Sequence, residues 1–256
     1  MSGRLYHISG WFFNRPSIAN GSGKWYNGDN DSQERETRTM AKYEVFPAKD
    51  PDRPVIYLNT FGGEGKKVWK ELQKNGAPDF TLVALKDLEW DHDMAPWDIP
   101  PIMKGDTPCT GGADDFRKYL LEEVLPEAEK QHPGKVLWRG LAGYSLAGLF
   151  AMYTMYHTDV FDRIASMSGS LWFPDFKEYV FAHEPVRKPD HLYLSLGDKE
   201  AKTRNKFLCV VQENTEAIAQ HMSESGIHTT FVLNPGNHFV HGTERSAAGL
   251  QWLLEQ

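Results

Sequence analysis

Apolar residues fall in short blocks along this chain, and longer stretches with apolar positions every three or four residues separate the blocks. Runs such as PVIYL at 54–58, FTLVAL at 80–85, HLYLSL at 191–196 and TTFVL at 229–233 have the length and apolar content of buried strands. Strands are also expected at 4–13, 41–46, 161–167 and from Val136 onward. Between them, helical spacing predicts helices from the glycines after Asn59 to about Lys74, and over 113–132, 175–183, 205–225 and 244–254. Pro126 should kink or break the second of these. Turn residues crowd 20–31, and mixed charges at 34–39 read as a solvated edge. Strands alternating with helices predict an α/β fold, with a mostly parallel central sheet and helices on both faces. No repeat or linker interrupts the pattern, so 1–256 is read as one domain.

The stretch VLWRGLAGYSLAGLFAMY, residues 136–153, carries the sharpest chemical signal. An apolar run leads into small residues, then Ser145, then helical spacing at Leu149, Met152, Tyr153 and Tyr156. Strand, tight turn, Ser and helix form the context in which G-x-S-x-G acts as a nucleophile elbow. Gly143 fills the position two before Ser145; Ala147 stands two after it, and Gly148 follows. The competing reading is an ordinary strand-to-helix turn with a Ser at the helix N-terminus.

A nucleophilic Ser needs a base and a group that orients the base. In an open α/β sheet, functional loops leave the C-terminal strand ends. The strand at 191–196 runs into Gly197-Asp198-Lys199-Glu200, and the last strand runs into Asn234-Pro235-Gly236-Asn237-His238. The order Ser, acid, His is that of α/β-hydrolases. His238 is the expected base, His241 is the next in line, and the acid is Asp198 or Glu200. The oxyanion hole is expected to use the Leu146 N–H and a second amide after the strand at 54–58, Phe61 first and Thr60 second.

Composition narrows the classes. Formal charge is −7 over 256 residues, which disfavours nucleic acid as the main partner. The two cysteines, Cys109 and Cys209, have neither zinc spacing nor a secreted framework. A reduced, cytoplasmic protein is expected, with no apolar run long enough for a signal peptide or a membrane span. Eight Trp and ten Tyr suggest aromatic pocket walls. Asp91, His92 and Asp93 look like metal ligands, but consecutive residues on a strand point to opposite faces, so no metal is expected. A loop with Trp90 and Trp97 flanking the pocket is expected instead, with Asp93 meeting a polar substrate group; Trp172 and Phe173 would form another wall.

The pieces PVIYL, GYSLAGLFAMY, FDRIASMSGSLWFPDF, LYLSLGDKE and GNHF resemble the esterase D-like branch of the α/β-hydrolases, from about residue 40 to the C-terminus. That branch includes S-formylglutathione hydrolases, feruloyl esterases and siderophore esterases of the enterobactin type. The resemblance implies an α/β-hydrolase fold, Ser145 as nucleophile, His238 as base and Glu200 as acid. It implies a serine esterase that works through an acyl-enzyme without a cofactor. Some siderophore esterases use a Ser-His dyad, and Asn59-Thr60-Phe61 replaces the family's usual Asp-Gly or His-Gly. The expected partner is a small-molecule ester, without nucleic acid or membrane, and a homodimer is compatible. A thioester or peptide substrate, a non-catalytic binding protein and a metal hydrolase are the rivals.

Overall fold

The computed structural model describes residues 41–256. The expected strand at 4–13, turn at 20–31 and charged edge at 34–39 lie outside them. In chain order the elements are β1 (Lys42–Phe46), β2 (Arg53–Asn59), α1 (Gly65–Lys74), β3 (Thr81–Lys86), α2 (Trp90–Asp93), β4 (Asp98–Ile99) and β5 (Cys109–Thr110). Next come α3 (Ala113–Tyr119), a π-helical turn (Leu120–Val124), α4 (Leu125–Glu129), β6 (Val136–Tyr144), α5 (Leu146–Thr154) and β7 (Arg163–Met167). Last are α6 (Phe176–Ala182), β8 (His191–Gly197), a 3₁₀ turn (Leu208–Val210), α7 (Val211–Glu224), β9 (His228–Asn234) and α8 (Gly242–Leu254).

Seven strands form one sheet in the order β1-β3-β2-β6-β7-β8-β9. Every neighbouring pair is parallel except β1 with β3. β2 is buried from its second residue to its last, as a strand covered on both faces must be. One face packs Val68 and Leu72 of α1 and Leu250 and Leu253 of α8 against Ile56, Leu58, Ala142 and Met167. The other sets Phe116, Leu149, Phe150 and Ile218 against Tyr57, Val83, Leu141 and Leu194. All nine residues of α5 are buried, so this helix needs no polar face. Among the described residues no helix is long and apolar enough to cross a membrane.

Three local features differ from the reading of the sequence. Strand β6 continues through the glycines to Tyr144, because Gly140 and Gly143 let neighbouring groups approach where a side chain would intrude. Around Pro126 the helix is not broken. A π-helical turn precedes the proline, which sits in the first turn of α4, where a missing N–H costs little. Residues 90–93 form one turn of helix rather than extended chain.

The parallel register aligns the strand ends: Asn59 lies opposite Gly143, Gly143 opposite Ser166, Met167 opposite Ser195 and Gly197 opposite Asn234. The loops that leave β6, β7, β8 and β9 therefore meet at one edge.

Candidate active site

Between β6 and α5 the backbone turns on a single residue. Ser145 has φ 61° and ψ −125°, a conformation that non-glycine residues rarely hold without support. The support is visible: Ser145 N–H donates to the Met167 carbonyl (3.1 Å), and the Ser145 carbonyl accepts from the N–H groups of Gly148 (3.0 Å) and Ser170 (3.0 Å). A Cβ on Gly143 would lie 2.3–2.5 Å from the carbonyl group and Cβ of Ala147. One on Gly148 would lie 2.7 Å from Ser166 Oγ and 3.0 Å from the Gly143 carbonyl oxygen. The turn thus requires glycine at 143 and 148. The Ala147 methyl fits because Gly143 has none, which accounts physically for the departure from G-x-S-x-G.

His238 Nε2 lies 3.0 Å from Ser145 Oγ, and His238 Nδ1 lies 2.7 Å from Glu200 Oε2. The other Glu200 oxygen, Oε1, accepts from Gly197 N–H (2.7 Å), Ser168 Oγ (2.8 Å) and Arg245 Nη1 (3.0 Å). Burial pushes the Glu200 carboxyl pKa up. The hydrogen bond and charge of His238, with the hydrogen bonds from Ser168 and Gly197, outweigh burial and hold it below the ordinary value. Asp198 takes a different place: its Oδ1 accepts the Gly236 N–H (2.7 Å) and braces the loop that leads to His238. His241 opens α8 in a left-handed conformation.

Leu146 is the first residue of α5, so its N–H is one of the helix-terminal amides without an intrahelical acceptor. Both Thr60 N–H (3.0 Å) and Thr60 Oγ1 (2.6 Å) donate to the Leu85 carbonyl, so that amide is engaged within the fold. Phe61 follows it and stands edge-on to Trp90, ring centroids 5.1 Å apart.

Two cavities reach the nucleophile. The larger, about 610 Å³, is walled by Ile99, Ile102, Met103, Trp172, Leu208 and Val211, and it exposes Ser145, Glu200 and His238. The smaller, about 190 Å³, reaches Ser145 and His238 between Asn59, Phe61, Trp90 and Tyr144. Trp172 lies on the large wall, whereas Trp97 and Asp93 line neither cavity. Trp97 Nε1 donates to the Pro174 carbonyl (3.2 Å), and its ring packs on Phe173 and Tyr179. Asp93 is 2% exposed, and its Oδ2 accepts the Glu89 N–H (3.0 Å) at the start of α2. Its neighbours diverge: Asp91 accepts from Thr107 Oγ1 (2.6 Å), and His92 Nδ1 is hydrogen-bonded to Thr110 Oγ1 (2.8 Å). Among the described residues no three His, Cys, Asp or Glu side chains are grouped to hold a metal.

Sequence reasoning missed Ser168, Tyr144 and Arg245. Tyr144 O–H donates to the His238 carbonyl (2.7 Å). Arg245 is 3% exposed, although a lone Arg near a helix start reads as surface. The available signal was its position one turn before Gly249 and on the same stripe of α8, the stripe that packs against the sheet.

Residues 60–240 match the model of the family described as "Putative esterase". Over 185 residues the chain is 21% identical to the uncharacterized protein YbbA of Bacillus subtilis, covering 68% of this chain and 72% of that protein. It is 23% identical over 201 residues to the ferri-bacillibactin esterase BesA of Bacillus subtilis, covering 75% and 66%. The fold is similar to that of an IroE-like serine hydrolase from Shewanella oneidensis, with a TM-score of 0.68 at 17% identity, over 84% of this chain and 76% of that one.

Proposed function

We propose a mechanism for a chain that belongs to this esterase family and is a carboxylic ester hydrolase. Ser145 Oγ attacks the ester carbonyl while His238 Nε2 takes its proton. The tetrahedral oxyanion is held by the Leu146 N–H and a second amide at Phe61. His238 returns the proton to the leaving alcohol, leaving an acyl-Ser145. Water, deprotonated by His238, then releases the acid and frees Ser145. Glu200 orients the imidazole and stabilises its protonated form. The observation that carries this reading is the unbroken chain Ser145 Oγ, His238, Glu200, with links of 3.0 and 2.7 Å at the junction of two cavities.

In this reading the two cavities hold the two sides of the ester. The apolar walls of the larger suit a bulky, weakly polar group, and the smaller admits a short one. Similarity to a ferri-bacillibactin esterase supports including siderophore lactones among the substrates tested. A cytoplasmic setting is part of the proposal, in keeping with the free thiols Cys109 and Cys209.

A fluorophosphonate probe tests the mechanism, because only an activated Ser labels. The purified protein should label at Ser145 and hydrolyse members of a panel of alkyl, aryl and lactone esters. Ser145→Ala should lose both properties, with kcat down on the order of 10⁶-fold. Labelling elsewhere, or an Ala variant retaining about a tenth of the turnover, removes Ser145 from the reaction.

A further inference from the structure

Outside the Ser145-His238-Glu200 chain, one buried cation bonds to four groups of this site, as many as Glu200 does. Arg245 Nη1 reaches Glu200 Oε1 (3.0 Å), Ser168 Oγ (3.1 Å) and Tyr144 Oη (3.3 Å), and Nη2 donates to the Pro235 carbonyl (3.0 Å). Tyr144 ends β6, Ser168 follows β7, Glu200 follows β8 and Pro235 follows β9. A single guanidinium therefore ties together the four loops that carry the site.

We infer that Arg245 is a positioning residue for this esterase: it selects which oxygen of Glu200 faces His238 and places a buried positive charge beside that acid. The inference rests on the mechanism above, and fluorophosphonate labelling of Ser145 tests that mechanism without involving Arg245.

The geometry supports both parts. Glu200 Oε1 receives three donors, Gly197 N–H, Ser168 Oγ and Arg245 Nη1, which leaves Oε2 to His238. A carboxylate only 5% exposed is costly to keep charged unless it is paired, and Arg245, 3% exposed, is the full cation in contact with it. The fold makes room for the pair: a Cβ on Gly197 would come within 2.9 Å of both Arg245 Nη2 and Glu200 Oε1. Ser168 adopts φ 45° at the position that sets its hydroxyl between the two charges.

The sign of the pH effect follows from the groups that face Glu200. These are His238, Arg245 and the Tyr144 hydroxyl, while Asp198 is engaged with Gly236 and Lys199 lies at the cavity mouth. On α8 itself, His241 and Glu244 precede Arg245. Removing the guanidinium disfavours the charged form of Glu200. It also leaves the remaining Glu200 charge free to hold the His238 imidazolium more tightly. Both changes move the acid limb of kcat/KM toward higher pH.

The test compares Arg245→Met with Arg245→Lys in the full-length protein. Arg245→Met should lower kcat by about tenfold or more while KM changes less than about threefold. Its acid limb should rise by about one pH unit. Arg245→Lys keeps the charge but not the planar fork, so its limb should stay near that of wild type while kcat falls to an intermediate value. A folded Met variant with an unshifted limb would reduce Arg245 to scaffold and overturn the inference. If the Met variant does not fold, the Lys variant decides: reduced kcat with an unshifted limb supports the role, and wild-type kcat ends it.

Discussion

Among the described residues two Glu–Arg ion pairs are built into the fold, and they are arranged differently. Glu129 and Arg139 meet near the start of β6, about 20 Å along the strand from Ser145. Arg139 Nε and Nη2 donate to both Glu129 oxygens (2.6 and 2.9 Å), and Tyr57 O–H donates to Oε1 (2.8 Å). Both Glu129 oxygens are thus engaged by Arg139. Glu200 and Arg245, at the other end of the sheet, form a single bond that leaves Oε2 for His238. In both acids burial pushes the pKa up, and hydrogen bonds and neighbouring charges outweigh it and hold it below the ordinary value. A partly buried acid with a lowered pKa therefore does not by itself mark an active site. The distinguishing feature is a free acceptor directed at a titratable ring that in turn meets a hydroxyl.

The comparison breaks most sharply on paired Glu→Gln substitutions. Glu200→Gln should lower kcat by on the order of 10⁴-fold, and Asp198→Asn should change it only a few-fold, because Asp198 braces backbone. Glu129→Gln should leave kcat within about twofold but cost about 1–3 kcal/mol of stability, read by denaturant unfolding. If Glu129→Gln impairs turnover as Glu200→Gln does, the division between the two pairs is lost. If neither Glu200→Gln nor Asp198→Asn slows turnover, the chemistry is a Ser-His dyad.

Lowered acid pKa values make a weaker and shared prediction. A carboxylate whose folded pKa lies below its unfolded value adds stability above the unfolded pKa, about 4.3 for Glu. That stability is lost as pH falls through the folded value. Unfolding midpoints should therefore drop as pH falls below about 4.3, and Glu129→Gln should flatten part of that slope. A variant with the slope of wild type would show that Glu129 is not held below its ordinary pKa.

The smallest expected effect concerns the elbow. Ala147→Gly restores the strict motif, but the Ala147 methyl already fits beside Gly143, so activity should stay within about threefold and stability should fall by about 1 kcal/mol from helix propensity. Gly148→Ala, which pushes a methyl toward Ser166 and the Gly143 carbonyl, should cost more on both counts. Equal effects would contradict the packing explanation of the motif.

Much of this molecule could be read from the chain alone. Alternating buried strands and amphipathic helices determined a mostly parallel sheet covered on both faces, because local periodicity dictates which side each residue presents. The chain order of Ser145, Glu200 and His238 was legible for a related reason: each follows a strand, and parallel strands deliver their following loops to one edge. Other features depend on how distant segments meet. Spacing left Asp198 and Glu200 open, and where each sits in the structure is set by Gly236, Ser168 and Arg245, which lie 32 to 45 positions from the acids they touch. Trp97 and Asp93 have the residue types of a pocket wall, yet the one-turn helix α2 and the aromatic cluster at Phe173 and Tyr179 draw them into the interior. Arg245 is the clearest case. A single Arg in a helix carries no mark of burial, and only the convergence of four strand ends around a carboxylate makes the interior a place where that charge is stable.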